Sequence, residues 1–324
     1  MRISNVDSEL DIYLDSNLVA HILLRDDQLR WKYTDDWKAN GFPVSPHLGF
    51  TEDIPSLNVQ RFLRNLLPEG QPLEELTAYY NISRNNTYAL IRALGLDIPG
   101  ALVALPAGQK LPSEGKFRII SNNELTERLD ERDHYSLMIW DGKPRLSVAG
   151  VQEKINVMLD AKGNLGFGEK ALCSTHILKF EKHKLSHLVL NEHYTMELAR
   201  HCGLEAAKTQ LLYFANHATL LVKRFDRDYV SMSRVDRIHM IDGCQLLNLP
   251  PEYKYERNLG SSRDVAHIRE GASLTKLFKY AEICNNPALT KKKILDWVLF
   301  NLLIYNFDAH GKNISFFVTK KGIS

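Results

Sequence analysis

The chain has 324 residues, of which 44% are hydrophobic and 25% charged, an ordinary composition for a globular protein. This length is sufficient for two domains, or for one two-lobed unit with a substantial buried core. The formal net charge of +2 does not indicate a dedicated nucleic-acid binder, although it leaves room for a local basic patch.

The sequence shows no signal for export, membrane insertion or disulfide chemistry. Residues 1–7 lack the apolar run of a signal peptide, and no stretch approaches the ~20 apolar residues of a membrane span. The four cysteines form no CxxC pair, so free thiols in a reducing compartment are favoured over a zinc or redox site. These features predict a soluble, cytoplasmic protein.

The first part of the chain is predicted to form a β-rich domain with two helices. Apolar runs broken by Asp-containing turns predict strands at 10–14, 18–24 and 29–33. Helical spacing predicts one helix over 57–67 and a second that Ser83 caps and that runs to Leu94. A strand at 101–105 precedes a polar stretch, and we therefore divide the chain into a domain 1–108, a linker 109–115 and a domain 116–324.

The second domain begins with strands and ends with helices. Strands are predicted at 145–148, 155–159, 175–180, 210–214 and 219–223, with one inserted helix over 186–202. Beyond residue 240 the clearest helices are 273–284 and 290–305. This order is typical of an α+β, two-lobed, protein-kinase-like fold, with a first lobe reaching to about residue 227 and a helical lobe starting in 228–324.

The most informative motif is the run 308–313, between a predicted helix and a predicted strand. Asp308 and Asn313 have the spacing of a kinase catalytic loop, in which the aspartate deprotonates the acceptor hydroxyl and the asparagine binds magnesium. A polar turn is the alternative, because Asp, Gly and Asn all favour turns. His310 and Lys312 are expected to be surface residues, although Lys312 could contact a transferring phosphate.

Two further residues match parts that phosphoryl transfer needs. Lys179 lies at the end of a predicted strand, from which a lysine can reach ATP phosphates, and Glu192 on the next helix can pair with it. The alternative is that Lys179 is one of many lysines at strand ends. Glu192 would then be a solvent-facing residue near a helix start, favoured there by the helix dipole.

Two loops complete the pattern. The loop 147–154 could cover phosphates with its backbone N–H groups, although a hairpin turn with one glycine explains it equally well. The strand 219–223 runs into Arg224-Phe225-Asp226-Arg227, as a hinge between lobes would. The alternative is a plain strand end with a surface Asp226–Arg227 ion pair that contributes little stability.

Taken together, these segments resemble the HipA family of bacterial serine/threonine toxin kinases from the first strands to Phe317. The resemblance implies a HipA N-terminal subdomain followed by a HipA-like kinase domain. It rests on residues 65–68, 147–154, 175–179, 191–194, 224–227, 242–245, 251–256 and 308–313.

The resemblance also implies a role for each motif. Asp308 would be the catalytic base, Asn313 a magnesium ligand and Glu192 the partner of Lys179. Ser147 matches the serine that family members autophosphorylate, and a phosphate there would repel those of ATP and eject the loop, which would switch the kinase off. The residues implied to contact ATP are Ser147, Val148, Ala149, Gly150, Lys179, Lys223, Phe225 and His310.

The implied cofactors are ATP and Mg²⁺, and the implied partner is a HipB-like helix-turn-helix antitoxin. Operator DNA would be bound mainly through that antitoxin, and no membrane is involved. The implied function is that of a type II toxin that phosphorylates a translation component such as an aminoacyl-tRNA synthetase.

The chain departs from the family pattern in three places. Lys223 stands where a glutamate is common, and Ile241 replaces an acidic residue. Family members also continue for roughly a hundred residues beyond 314–317, with a second metal-binding aspartate. An incomplete helical lobe is therefore expected, which would leave apolar surface on the helix 290–305 uncovered.

Two alternatives stay open. The chain could be a truncated, catalytically inactive relative that retains only antitoxin or nucleotide binding. It could instead be a small-molecule or lipid kinase, although the match of the first domain to the HipA N-terminal subdomain argues against that.

Overall fold

The structure, a computed structural model, describes residues 8–145, 152–181, 187–260, 262–265 and 267–324. Within these residues the strands are β1 (Ser8–Leu14), β2 (Asn17–Arg25), β3 (Gln28–Tyr33), β4 (Leu102–Pro106), β5 (Gly115–Ile119), β6 (Ile139–Trp140), β7 (Lys143–Pro144), β8 (Lys154–Leu159), β9 (Leu165–Lys170), β10 (His176–Phe180), β11 (Thr209–Phe214), β12 (His217–Lys223), β13 (Arg227–Ser231), β14 (Arg234–Arg237), β15 (Met240–Asp242), β16 (Arg257–Asn258), β17 (Arg269–Glu270), β18 (Ser315–Thr319) and β19 (Gly322–Ile323). The α-helices are α1 (Asp35–Asn40), α2 (Ser56–Arg64), α3 (Gln71–Tyr80), α4 (Thr87–Leu94), α5 (Asn122–Asp130), α6 (Leu188–His201), α7 (Gly243–Leu246), α8 (Leu274–Tyr280) and α9 (Pro287–Leu303).

Most predicted elements are present with small shifts at their ends. The predicted start of α4 is wrong, because Asn86 rather than Ser83 caps this helix by accepting a hydrogen bond from the Ala89 N–H at 3.0 Å. Ser83 instead closes the preceding turn, where its carbonyl accepts from the Asn86 N–H at 2.9 Å. The predicted strand 145–148 lies mostly outside the described residues, and β7 ends just before it.

The contacts group the chain into two compact units that do not follow chain order. The first comprises Met1–Leu66, Gly100–Gln109 and His239–Ser324, and the second comprises Leu67–Pro99 and Lys110–Ile238. The predicted boundary at 109–115 stays a prediction. No helix in the described residues is both long enough and apolar enough to cross a membrane.

The first unit is built on an antiparallel sheet with the strand order β3-β2-β1-β4. Alternate residues of β3 are buried, which is the two-residue period expected of a sheet with one covered face, whereas the adjacent Val19 and Ala20 of β2 are both buried. Helix α2 covers that face, and Phe62 packs edge-on against Trp31 with ring centroids 5.9 Å apart. The late part of the chain adds a second sheet in this unit, ordered β15-β18-β19.

Side chains of α2 hold the segment that follows α7. The Arg61 guanidinium donates to the Asn248 carbonyl at 3.0 Å, and the Asn65 amide donates to the Leu249 carbonyl at 2.8 Å. In return, the Gln245 amide donates to the Phe62 carbonyl at 3.1 Å. Because these bonds are buried or half-buried, they fix the end of α2 against α7 within the first unit.

The second unit contains a six-stranded antiparallel sheet with the order β11-β12-β10-β8-β9-β5. Strand β10 is central, since it pairs with β12 on one side and with β8 on the other. Helix α5 packs on the sheet through an apolar core. The core cluster consists of Ile120, Leu125, Leu129, Leu137, Trp140, Ile155, Val157, Phe167, Leu178, Phe180, Phe214 and Leu221.

A buried ion cluster lies where β12 ends. The guanidinium of Arg224 makes two bonds to the Asp226 carboxylate, at 2.9 and 2.7 Å, and Arg227 contacts the same carboxylate at 2.8 Å. Asp97 lies 3.5 Å from Arg224 and 3.4 Å from Arg227. The alternative of a surface ion pair at Asp226–Arg227 is therefore wrong, because both residues are only 3% exposed.

The pKa values of the two guanidiniums in this cluster shift in opposite directions. Burial alone would lower the pKa of Arg224, but the charge of Asp226, its hydrogen bonds and the charge of Asp97 together outweigh burial and raise the pKa above the ordinary value. Burial and the neighbouring charge of Arg224 together lower the pKa of Arg227. Asp226 and Asp97 therefore balance the two guanidiniums together, and Asp226 makes the shorter contacts.

We expect Asp226→Ala to lower the free energy of unfolding by about 3–5 kcal/mol, because it leaves two buried guanidiniums with Asp97 as the remaining carboxylate of the cluster. Urea unfolding at neutral pH measures the loss. The matched control is Asp228→Ala at an exposed position two residues along, for which a change within about 0.5 kcal/mol is expected. Equal effects of the two substitutions would contradict the assignment.

His176 gives the second unit a pH-dependent stability. Burial and then the charge of Lys223 lower the pKa of His176 from 6.5 to about 4. The unfolded chain therefore binds a proton first as the pH falls, so stability is present above about 6.5 and is lost toward 4. Since His176 is only half-buried, we expect wild type to lose about 1 kcal/mol more than His176→Gln between pH 7 and 5 in urea unfolding. Equal losses would exclude His176 as the source.

Candidate active site

The loop that carries Asp308 is held to the end of α9 by an asparagine. Helix α9 ends at Leu303, and Tyr305 adopts a left-handed backbone with a φ of 56°, which turns the chain. The Asn306 amide donates to Asn301 on the helix at 2.7 Å, and its oxygen accepts from the Asp308 N–H at 3.1 Å. The backbone of Asp308 is thereby tied to the last turn of the helix.

The carboxylate of Asp308 is exposed and accepts a hydrogen bond from the hydroxyl of Tyr255. The ring of Tyr255 packs edge-on against His310, with the centroids 5.0 Å apart. A carboxylate in this position can therefore accept a hydrogen bond from a hydroxyl group. Sequence reasoning assigned no role to Tyr255, and only its place in the family-like segment 251–256 singled it out.

Asn313 and His310 fix each other across a 3₁₀ turn, Gly311–Asn313. The His310 N–H donates to the side-chain oxygen of Asn313 at 2.9 Å, and the Lys312 N–H donates to the His310 ring at 3.2 Å. The Asn313 side chain lies at the surface, and its oxygen has two lone pairs, of which this bond uses one. An amide oxygen of this kind fits a magnesium ion, which often takes only one or two protein ligands beside phosphates and water.

Lys312 is a buried cation rather than the surface residue that was expected. Its side chain is only 4% exposed, and its ammonium lies 2.5 Å from Asp242 Oδ2. It also donates to the carbonyl oxygen and the side-chain oxygen of Asn65, both at 3.0 Å. The expectation of a solvated charge is therefore wrong, and these bonds take up the three donors that an ammonium has.

Two glycines allow this loop to approach α7 closely. A Cβ atom on Gly243 would lie 2.5 Å from the Gly311 carbonyl oxygen, and one on Gly311 would lie 2.8 Å from the Ala272 side chain. The Gly311 N–H donates to the Lys254 carbonyl at 2.9 Å. The loop 308–313 thus contacts backbone on both sides, which only residues without side chains permit.

The second unit contains the lysine–glutamate pair that the sequence suggested. The Lys179 ammonium, on β10, lies 2.5 Å from Glu192 Oε1 on α6. The two side chains are 21% and 27% exposed, so a ligand could reach the ammonium. The pair is present, whereas its contact with ATP stays a prediction.

Apart from His310, whose contacts are given above, the other predicted ATP contacts form two groups. Lys223 and Phe225 lie at the end of β12, where the Lys223 N–H already donates to the Lys208 carbonyl at 2.8 Å and the Phe225 side chain is 46% exposed. Ser147, Val148, Ala149 and Gly150 lie outside the described residues. Their assigned roles stay predictions.

The outer side of α9 exposes large apolar side chains. This surface, which we call the α9 apolar face, continues into the loop before Asp308. Its members and their exposed fractions are Leu295 42%, Leu299 49%, Leu302 67%, Leu303 79%, Tyr305 78% and Phe307 88%. The predicted uncovered apolar surface on this helix is therefore present.

Two family models match the chain, the HipA N-terminal domain over residues 10–105 and the HipA-like C-terminal domain over residues 146–324. The serine/threonine-protein kinase toxin HipA of Shewanella oneidensis is 46% identical over 292 residues, which are 90% of this chain and 66% of that protein. The putative kinase Y4mE of Sinorhizobium fredii is 30% identical over 323 residues, which are 97% of this chain and 74% of that protein.

A solved structure is also similar. It is the complex of Shewanella oneidensis HipA, HipB and operator DNA, in which a chain matches with a TM-score of 0.85 and 43% identity, over 97% of this chain and 74% of that one. The predicted HipA-like fold and family resemblance are confirmed. The chain spans about two thirds to three quarters of the length of these similar proteins.

We expect the triple variant Leu295→Gln, Leu299→Gln, Leu302→Gln to bind less of the dye ANS than wild type at an unchanged melting temperature. Exposed apolar side chains contribute little to stability, whereas an apolar patch binds the dye. Ile294→Gln is the control on the same helix, because Ile294 is 3% exposed and its change should lower the melting temperature. If the triple variant bound as much dye as wild type, the dye would bind to a surface other than the α9 apolar face.

Proposed function

The chain belongs to the HipA family of serine/threonine-protein kinases, and we propose that it transfers the γ-phosphoryl group of ATP to a protein serine or threonine. The observation that carries this proposal is the exposed carboxylate of Asp308, which accepts a hydrogen bond from a hydroxyl group. An acceptor serine presents the same chemical group.

Asp308 acts in this proposal as the general base. The acceptor hydroxyl takes the place of the Tyr255 hydroxyl as hydrogen-bond donor to the carboxylate. As the acceptor oxygen forms a bond to the γ phosphorus, the bond from phosphorus to the β–γ bridging oxygen breaks and the carboxylate receives the hydroxyl proton. ADP leaves with the electron pair of the broken bond.

The remaining residues bind and orient the nucleotide. Lys179 neutralises phosphate charge, and Glu192 keeps its ammonium in place through the contact at 2.5 Å. The residues proposed to complete ATP binding are Ser147, Val148, Ala149 and Gly150 over the phosphates, the backbone of Lys223 and Phe225 at the adenine, and His310 on the loop of Asp308.

Asn313 would hold Mg²⁺ through its side-chain oxygen, which the bond from the His310 N–H orients. When bound, the ion supplies positive charge that neutralises the phosphates of ATP. The group of three potential metal ligands found in the described residues, Glu9, Asp11 and His21, lies on β1 and β2 and takes no part in this proposal.

The partners in this proposal follow from the similar proteins. A Shewanella relative was solved with HipB and operator DNA, which supports a HipB-like antitoxin and operator DNA as partners of this chain. We propose that the DNA is bound mainly through the antitoxin. A related protein is named a serine/threonine-protein kinase toxin, which supports a toxin role for this chain. We further propose that the toxin acts in the cytoplasm on a translation component. An aminoacyl-tRNA synthetase is the substrate we propose, and Ser147 is the site of autophosphorylation.

A second candidate function is that of a catalytically inactive relative that binds only nucleotide or antitoxin. The α9 apolar face favours it, because a helix with several large exposed apolar residues is typical of a surface that a partner covers. The two candidates share the nucleotide contacts and differ in whether phosphate is transferred.

Intact-mass measurement after incubation with Mg-ATP separates the two candidates. We expect wild type to gain phosphate at Ser147, and Asp308→Asn to do so on the order of 10²- to 10⁴-fold more slowly, because the general base is lost. Nucleotide binding, measured by calorimetry, should stay within about threefold of wild type in Asp308→Asn. ATP binding by folded wild type without any phosphate transfer would favour the inactive relative.

A further inference from the structure

Lys312 lies in the middle of the loop that carries Asp308 and Asn313, yet its side chain points away from solvent. Three oxygen atoms surround the ammonium, which are Asp242 Oδ2 at 2.5 Å and the two oxygens of Asn65 at 3.0 Å. The side chains of Lys312 and Asp242 are 4% and 12% exposed. An ammonium buried to this degree needs both a counter-charge and full hydrogen bonding, and it has both here.

Both partners of Lys312 are themselves held in place. The Asn65 amide donates to the Arg61 carbonyl at 2.9 Å and to the Leu249 carbonyl at 2.8 Å. The second oxygen of Asp242 accepts from the Gln245 N–H at 2.8 Å and so caps α7. The three acceptor atoms therefore belong to a rigid frame rather than to mobile side chains.

The position of Lys312 in the loop gives this frame a consequence for the chemistry. His310 and Asn313, its near neighbours, bond each other at 2.9 Å, and the Lys312 N–H bonds the His310 ring at 3.2 Å. Holding the Lys312 side chain thus holds the short turn that presents the Asn313 oxygen and follows Asp308. A misplacement of about 1 Å at such groups can cost on the order of 10²-fold in rate.

We propose that Lys312 is a positioning residue, which locks the loop 308–313 onto Asp242 and onto Asn65 at the end of α2. The inference rests on the proposed function for its effect on catalysis. It also assigns a role to the N-terminal family domain, because Asn65 lies within the matched residues 10–105 and supplies two of the three oxygens. A contact of Lys312 with a transferring phosphate is disfavoured, because its donors are already used.

Lys312→Met tests the proposal, with the exposed Lys320→Met as the matched control. Hydrogen exchange of backbone amides in 305–314 is the first readout, and we expect it to become about tenfold faster in Lys312→Met only. The second readout is autophosphorylation, for which kcat should fall on the order of 10²-fold while KM for ATP stays within about threefold. Unchanged exchange in Lys312→Met would overturn the proposal.

A double variant separates positioning from mere stability. Lys312→Met leaves Asp242 buried without its cation, whereas adding Asp242→Asn removes that charge and keeps a good cap for α7. We expect the urea midpoint of the double variant to return most of the way to that of wild type. Its loop amides should still exchange fast, and its kcat should stay low. If kcat returned together with stability, Lys312 would be a structural residue only and the proposal would be wrong.

Two further outcomes are distinguishable. If Lys312→Met does not fold, Asn65→Ala, which retains the Lys312–Asp242 pair, should show the same changes at a smaller size, and its lack of effect would overturn the proposal. If wild type transfers no phosphate, the proposed function fails. The exchange measurement then still decides whether Lys312 holds the loop.

Discussion

A charge removed from water must be paired, and this constraint organises both units of the chain. In the second unit Asp226 balances two buried guanidiniums at the end of β12. In the first, Asp242 balances the buried ammonium of Lys312. Asp242 joins segments that are distant in sequence, and in the second unit Asp97 does so, because it lies 3.5 Å from Arg224 and 3.4 Å from Arg227. Because an unpaired buried charge costs several kcal/mol, alternative arrangements of these segments are strongly disfavoured.

The sequence predicted local features well. The strands β1 to β3 and the helices α6 and α9 follow from the period of apolar residues, and the Lys179–Glu192 contact follows from their place on adjacent elements. Helix α3 was missed, because Gly70 directly precedes it and Pro72 is its second residue, a pairing that locally indicates a loop. The predictions of exposure were wrong where burial depends on segments that are far apart in the sequence. The local sequence around Asp226 and Lys312 indicates surface charges. A charged residue in a turn carries no local sign of being buried.

In the candidate site, too, local features could be predicted from the sequence and long-range contacts could not. Spacing alone indicated Asp308 and Asn313, and the family resemblance indicated the segments 242–245 and 251–256 without saying what they do. The structure places Tyr255 at the Asp308 carboxylate and Asp242 at Lys312. Those partners could not be predicted, because tertiary contacts rather than sequence neighbours create them. These two segments of the family resemblance therefore support the loop 308–313.

The bond between Lys312 and Asn65 joins residues separated by 247 positions in the chain. During synthesis from the N-terminus, Asn65 and Asp242 leave the ribosome long before the ammonium that they surround has been made. The loop that carries Asp308 therefore orders late, after its frame has formed, since contacts of such long range close last. A nascent chain that ends before Lys312 therefore lacks the contact that holds this loop, even where the other elements of the first unit have already been made.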